Sequence, residues 1–189
     1  MPPKVKITKK NITDTALALV RRSGESVLNA RSIAAELGCS TQPVFSNFAN
    51  MEELRAAVVA AAFETYLGFI SDEVAGGRFP KYKSFGMAYI RFAKEERELF
   101  KLLFMCDRSG MSLQPTEDFT QSIEMIMTAN GVDRDTAELM HLECWAFVHG
   151  IGAMLATSFL DLDFELISNM ISDVYQGIRL RHAVEENRK

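Results

Sequence analysis

Cysteine, proline and tryptophan are scarce in this sequence of 189 residues, which holds three Cys, five Pro and one Trp. Cys39, Cys106 and Cys144 make an odd count without a Cys-x-x-Cys pair. That argues against a disulfide framework or a zinc ribbon and fits a reducing, cytoplasmic setting. No run of eighteen apolar residues occurs, so no membrane span is expected. The opening MPPKVKITKKN is cationic but has no apolar stretch behind it, and it does not read as a secretory leader. Alternating apolar and polar residues bounded by turn signals are also missing, so no strand is expected. Neither an internal repeat nor a low-complexity segment interrupts the chain.

What the chain does have is apolar residues at helical spacing. Some 48% of the residues are hydrophobic and 24% charged, a composition with enough apolar material for a core. The first helix is predicted from Lys9 to Ser23, with Ile12, Ala16, Leu19 and Val20 as its buried stripe and Gly24 as its stop. A short helix follows from Ala30 to Leu37, capped by Asn29. Gly38 breaks it. A second short helix starts after Ser40, with Pro43 in its first turn, where a missing N–H is harmless. Asn50 opens a long helix running to Val74, with Glu53 in capping-box position. Further helices are predicted near 80–94, 96–106, 116–129, 134–160 and 163–182. The fold class is therefore all-α, with about nine helices.

The net charge of −4 conceals an asymmetry. Residues 1–55 carry eight cationic and five anionic side chains, a net of +3, whereas the remainder carries thirteen and twenty, a net of −7. A cationic head on an anionic body suits a module that meets phosphate while the rest stays clear of it. The head also has what a helix-turn-helix needs. Ala34 is small where the helices cross, Gly38 opens the turn, and Val44 packs back on the first short helix. Ile33, Leu37 and Phe48 form the apolar underside. Thr41, Gln42, Ser46 and Asn47 are left outside, where short polar side chains can bond to base edges or phosphates.

The segment NARSIAAELGCSTQPVFSNFANMEELRAAV resembles the N-terminal DNA-binding domain of TetR/AcrR-type transcriptional regulators, and the likeness covers residues 8 to about 60. ELFKLLF and WAFVHG resemble the C-terminal domain of a subgroup marked by Trp-x-x-x-His-Gly. The resemblance implies a helix-turn-helix DNA-binding domain over residues 1–54 and a helical ligand-binding and dimerisation domain over 55–189. It implies that Ser40, Thr41, Gln42 and Pro43 open the recognition helix, and that Phe45, Ser46 and Asn47 follow at positions that touch backbone or bases. Arg31 matches a position from which some members reach a base, and Lys9 and Lys10 can reach the phosphate backbone. Phe45 stands where the family usually has tyrosine and Met51 where it usually has lysine. Both departures remove a phosphate contact and shift reliance to Lys9, Lys10 and Arg31.

The body is rich in Phe and Met. Phe69, Met87, Phe104 and Met125 suit either a core or the wall of a cavity for an apolar or aromatic small molecule; the resemblance implies the cavity. Trp145 and His149 share a helix face and offer an indole N–H and an imidazole as polar handles, or a packed pair in a core. Helix 134–160 carries two apolar stripes. One is Ala137, Met140, Cys144, Val148, Ile151, Leu155 and Phe159; the other is Leu142, Ala146, His149, Ala153, Ala156 and Leu160. The last helix is doubled in the same way. Helices 134–160 and 163–182 from two copies would form a four-helix bundle, the homodimer the resemblance implies.

The partners expected are double-stranded DNA with a palindromic operator, a small-molecule effector and a second copy. No cofactor is expected. Glu138 and His141 form a Glu-x-x-His pair, but a di-iron site needs two such pairs, so no metal is expected and His141 is placed near the surface. No phosphate loop or Gly-x-Ser-x-Gly motif occurs, and no enzyme is expected. The resulting expectation is a ligand-released repressor; an architectural DNA binder or a helical small-molecule binder are the alternatives.

Overall fold

The computed structural model describes residues 7–106 and 117–186, all helix and connecting turns. Among the described residues there are nine α-helices and no strand. They are α1 (Lys9–Ser23), α2 (Ala30–Glu36), α3 (Gln42–Asn47), α4 (Met51–Ala75), α5 (Lys81–Glu95), α6 (Arg97–Phe104), α7 (Glu117–Asn130), α8 (Arg134–Ala156) and α9 (Phe164–Glu186). The chain divides into two compact units. The first comprises Met1–Gly68 with Glu95–Cys106, and the second Phe69–Lys94 with Asp107–Lys189. The break at Gly68 falls inside α4.

In the first unit, α1 is capped by Thr8. Its side chain accepts from the Asn11 N–H, and the Asn11 side chain accepts from the Thr8 N–H. The expected stripe of Ile12, Ala16, Leu19 and Val20 is buried. α1 packs on α2, α3 and α6. α6 brings four buried side chains, Leu99, Phe100, Leu102 and Leu103. Phe104 packs against Phe100 and edge-on to Tyr66, at ring separations of 5.3 Å for both pairs.

α2 closes as the glycine requires. Gly38 takes a φ of +63°, its N–H bonds to Ala35 O, and the Cys39 N–H reaches back to Ala34 O. That pair of bonds is a Schellman closure, satisfying carbonyls that the helix end would otherwise leave orphaned. Ala34, Val44, Ile33 and Phe48 are buried, so the two short helices share one apolar underside. The expected N-cap is displaced by one residue: Thr41, not Ser40, holds the cap position, and no side chain caps the helix. Asn50 caps the next helix through its Oδ1, which accepts from the Glu53 N–H at 2.8 Å, while Glu53 reaches back to the Ala49 N–H.

In the second unit, α5, α7, α8 and α9 enclose an apolar interior. Met87, Ile90, Phe92, Ile123, Ile126, Met140, Ile151 and Leu155 are among its buried side chains. Gly86 gives α5 close approach: a methyl placed there would lie 3.5 Å from Val148 and 4.0 Å from Ile171. Glu73 is buried yet satisfied, paired with Arg78 at 3.1 Å and Arg91 at 3.3 Å.

α8 starts where expected, with Asp133 accepting from the Thr136 N–H. It ends at Ala156, four residues before the predicted Leu160. There Ser158 adopts a φ of +58°, Phe159 N–H bonds to Met154 O and Ser158 N–H to Leu155 O. This is the same closure as at Gly38, made by a residue that bears a side chain. Periodicity continued through Phe159 and Leu160, and no glycine announced the stop.

By length and mean hydropathy, 1.3 in each, α4 and α8 would be apolar enough to cross a membrane, a measure that core helices of soluble proteins also meet.

Candidate functional site

The α2–turn–α3 edge brings several of the expected DNA-contacting residues together. Asn29, Ala30, Arg31, Thr41 and Phe45 line one open concavity. Gln42 is exposed beside it, and Phe45 is exposed by 55%, an unusual setting for a phenyl ring. Pro43 occupies the first turn of α3, half-buried. Ser40 is exposed just before it. Ser46 donates to Gln42 O within its own helix, so its oxygen remains turned outward as an acceptor. Asn47 is turned inward: its amide donates to Pro43 O at 2.8 Å and to Ile7 O at 3.4 Å. Those bonds give Asn47 the job of joining α3 to the segment before α1.

The cations of this unit are mostly matched. Arg21 pairs with Glu96, Arg22 with Glu36, Arg55 with Glu25 and Lys101 with Glu98. Lys10 pairs with Asp14 one helical turn on. Lys9 bonds to Glu53 and lies over the Phe48 ring at 4.7 Å. The Lys9 ammonium, with help from the Ala49 N–H, holds the Glu53 carboxyl below its ordinary value of 4.5. Arg31 differs: it is exposed, and no acidic partner stands against it among the described residues. Exposed ion pairs such as Lys10–Asp14 are worth at most about 1 kcal/mol, so a phosphate can displace them cheaply. Arg31 needs no such exchange.

Of the residues expected to meet a small molecule, Phe69, Met87, Met125, Trp145 and His149 lie in the second unit and Phe104 in the first. Met87 is buried. Phe69 packs edge-on to Phe92 at 5.4 Å, with the Arg91 guanidinium over its face at 4.7 Å. Met125 is half-buried on α7. His149 is bonded through Nδ1 to the hydroxyl of buried Tyr89 at 2.8 Å. Trp145 stacks flat on His149 at 5.1 Å, but it is 45% exposed. It therefore lies on the outer face of α8, beside exposed Leu142, and not in the interior.

That outer face holds Leu142 and Ala146 of the second apolar stripe of α8, with Leu139 and Trp145 beside them, whereas Ala156 of the same stripe is buried. Leu139, Leu142, Trp145 and Ala146 are exposed along it. Leu166 and Leu180 are exposed on α9. The first stripe faces the core as far as the helix runs, with Ala137, Met140, Val148, Ile151 and Leu155 buried, but Phe159, beyond the helix end, is exposed. A helix with water against one of two apolar sides presents surface suited to a partner.

One polar cluster escaped sequence reasoning. His141, expected near the surface, is half-buried because Tyr82 of α5 and Phe119 of α7 lie over it. Its Nδ1 meets the Tyr82 hydroxyl at 3.0 Å. Burial lowers the His141 pKa from the ordinary 6.5, raises that of Tyr82, and pushes the Cys144 thiol up to about 11. Neutral forms are thus favoured at all three groups. Glu138 is engaged by Arg134, not by His141. Among the described residues no group of three or more His, Cys, Asp or Glu side chains is placed to hold a metal ion. Tyr82 and Tyr175, lone aromatics with hydroxyls among apolar neighbours, were the only available sequence signal for this cluster.

No family model matches the chain, and no curated protein is similar to it in sequence. Among solved structures, it is similar to the multidrug binding protein EbrR, in that protein's crystal structure with imidazole. The TM-score is 0.58 at 18% identity, over 88% of this chain and 88% of that one. At that identity the likeness is one of architecture: the chain has a TetR-like, all-helical fold.

Proposed function

We propose that this chain is a homodimeric, cytoplasmic transcriptional regulator that binds operator DNA and is released by a small apolar or aromatic molecule. The observation that carries the reading is the α2–α3 edge. It holds an exposed arginine without an internal acid, a Thr41 hydroxyl that caps nothing, and an exposed Gln42, on a helix-turn-helix frame. Residues 41–46 enter a major groove, with Arg31 available for a guanine edge and Lys9 and Lys10 exchanging their carboxylates for phosphates. Phe45 supplies an apolar contact for a thymine methyl in place of a phosphate hydrogen bond.

The exposed stripes of α8 and α9 bind the same surface of a second copy, and the resulting twofold axis sets two half-sites about 34–36 Å apart. The multidrug-binding neighbour supports a small-molecule effector held by the second unit. Release then follows from linkage: a ligand preferring the conformation in which the heads do not fit the operator weakens DNA binding by the factor that DNA weakens ligand binding. α4, which belongs to both compact units, is the covalent path for that coupling.

The test is selection of bound sequences from a pool of random duplexes at fixed low salt. A palindromic motif with half-sites one helical turn apart is expected. Enrichment of nothing, by a protein shown to be folded, overturns the regulator reading.

A further inference from the structure

Within the second unit, the hydrogen-bonding groups around Tyr82 do not close on themselves. The Tyr82 ring lies 5.9 Å from that of His141 and 5.8 Å from that of Tyr175. Its hydroxyl touches His141 Nδ1 at 3.0 Å and also meets the Cys144 thiol. A ring nitrogen is a far better acceptor than sulfur, so Tyr82 donates to Nδ1. That leaves the His141 Nε2–H as the imidazole's donor. The Tyr175 oxygen accepts from Asn130 Nδ2 at 3.0 Å, and its own proton is left to give. Asn130 Nδ2 also donates to Ile126 O at 2.8 Å, which fixes the amide so that Oδ1 points away from both bonds. Asn130 Oδ1 is buried and has no hydrogen-bond partner. Buried acceptors without partners are uncommon and costly, and each calls for a specific reason.

We infer that Tyr82, His141, Tyr175 and Asn130 form a recognition site for an uncharged aromatic molecule bearing a hydroxyl group. The hydroxyl donates to Asn130 Oδ1 and accepts from Tyr175 or His141, completing the set. Phe119, edge-on to His141 at 5.1 Å, supplies an aromatic wall, and Met127 and Ile178 line the adjoining core. Selection against charge follows from the surroundings. Glu138 is held by Arg134, and Glu143 by Arg181 and His182, so these two carboxylates are already engaged by cations or imidazole. The inference rests on the ligand-binding half of the proposed function.

The experiment uses the full chain without DNA and two probes of one shape, 2-naphthol and 2-methylnaphthalene, with affinities measured by calorimetry at neutral pH. Preference for 2-naphthol by about tenfold or more is expected, because only it can pair the orphaned acceptor. Tyr175→Phe, which removes one oxygen and keeps the ring, is expected to cut that preference to about twofold. In histidine-15N-labelled protein, the His141 Nε2 resonance is expected to shift with 2-naphthol and to stay put with the methyl analogue. Equal binding of the two probes, binding of neither, or a preference unchanged in folded Tyr175→Phe overturns the inference. Loss of 2-naphthol binding by a chain that still selects a palindrome overturns this site alone. Binding of 2-naphthol by a chain indifferent to every duplex overturns the regulator and leaves the site.

Discussion

The two compact units leave different things unfinished at their surfaces. In the first, most of the described cations are paired with carboxylates along α1, α2, α4 and α6, and Arg31, at the edge it shares with Thr41, is not. What is unfinished there is polar. In the second, the conspicuous surplus is apolar, with Leu139, Leu142, Trp145 and Leu166 open to solvent. Under the proposed function the contrast gives the two surfaces different partners. Unspent donors seek phosphates and base edges, whose binding is screened by salt; uncovered leucines seek another apolar face, whose binding is not.

The largest effect should come from breaking the apolar side of that contrast. Leu142→Asp places a carboxylate in the proposed dimer face at an exposed position, so the monomer fold should stand. Self-association is expected to weaken about 100-fold, roughly 3 kcal/mol, in sedimentation velocity. A dimer unchanged by this substitution would remove α8 from the interface. On the polar side, Arg31→Ala is expected to cost about 1–3 kcal/mol of affinity for the selected duplex, concentrated at one base position. Lys10→Ala should instead weaken all duplexes alike and reduce the salt slope by about 0.9. Identical behaviour of the two variants in an anisotropy titration would erase the distinction between free and paired cations.

A smaller pair of effects tests the two left-handed closures against each other. At Gly38 no atom lies within 4 Å of an added methyl, so Gly38→Ala meets only the backbone penalty. It is expected to lower unfolding stability by about 1 kcal/mol. Ser158→Gly should raise it by about 0.5–1 kcal/mol, because a strained side chain is removed. Opposite shifts in chemical denaturation midpoints are the expected result, and shifts of one sign would refute it.

The smallest effect is one of pH. The folded pKa of His141 lies below 6.5, so near that pH the unfolded chain binds more protons than the folded one. The stability gained by keeping this imidazole neutral is complete above pH 6.5 and is lost as pH falls toward the lowered folded value. The melting midpoint should therefore fall between about pH 7.5 and 5.5, and His141→Gln should flatten that fall. An unaltered slope would show that His141 does not titrate in the burial described.

Much of this architecture was legible because helices declare themselves by spacing and their ends by chemistry. Asn29, Asn50 and Glu53, and Gly38 all act within a few residues of their own position, and a local signal survives in a linear text. Ser158 hid because a serine in the left-handed region carries no mark of it. Partner choice hid for a deeper reason. An amphipathic octad such as α6 states that one face is buried, not which helix buries it, and α6 packs on α1. At the nucleic-acid edge, the residue types were readable, but the inward turn of Asn47 and the engagement of Lys9 by Glu53 depend on neighbours 40 and 44 residues away in sequence. Trp145 was misplaced toward an interior by its size, whereas its face of α8 is the uncovered one.

The lone indole has a use that follows from where it stands. It lies flat on an imidazole whose Nδ1 bonds a buried phenol, so an exposed ring of the second unit is linked by contact to its inside. Its emission colour answers to the water against it and to whatever covers it. One native fluorophore can thus report whether that face of α8 is covered, with no dye attached.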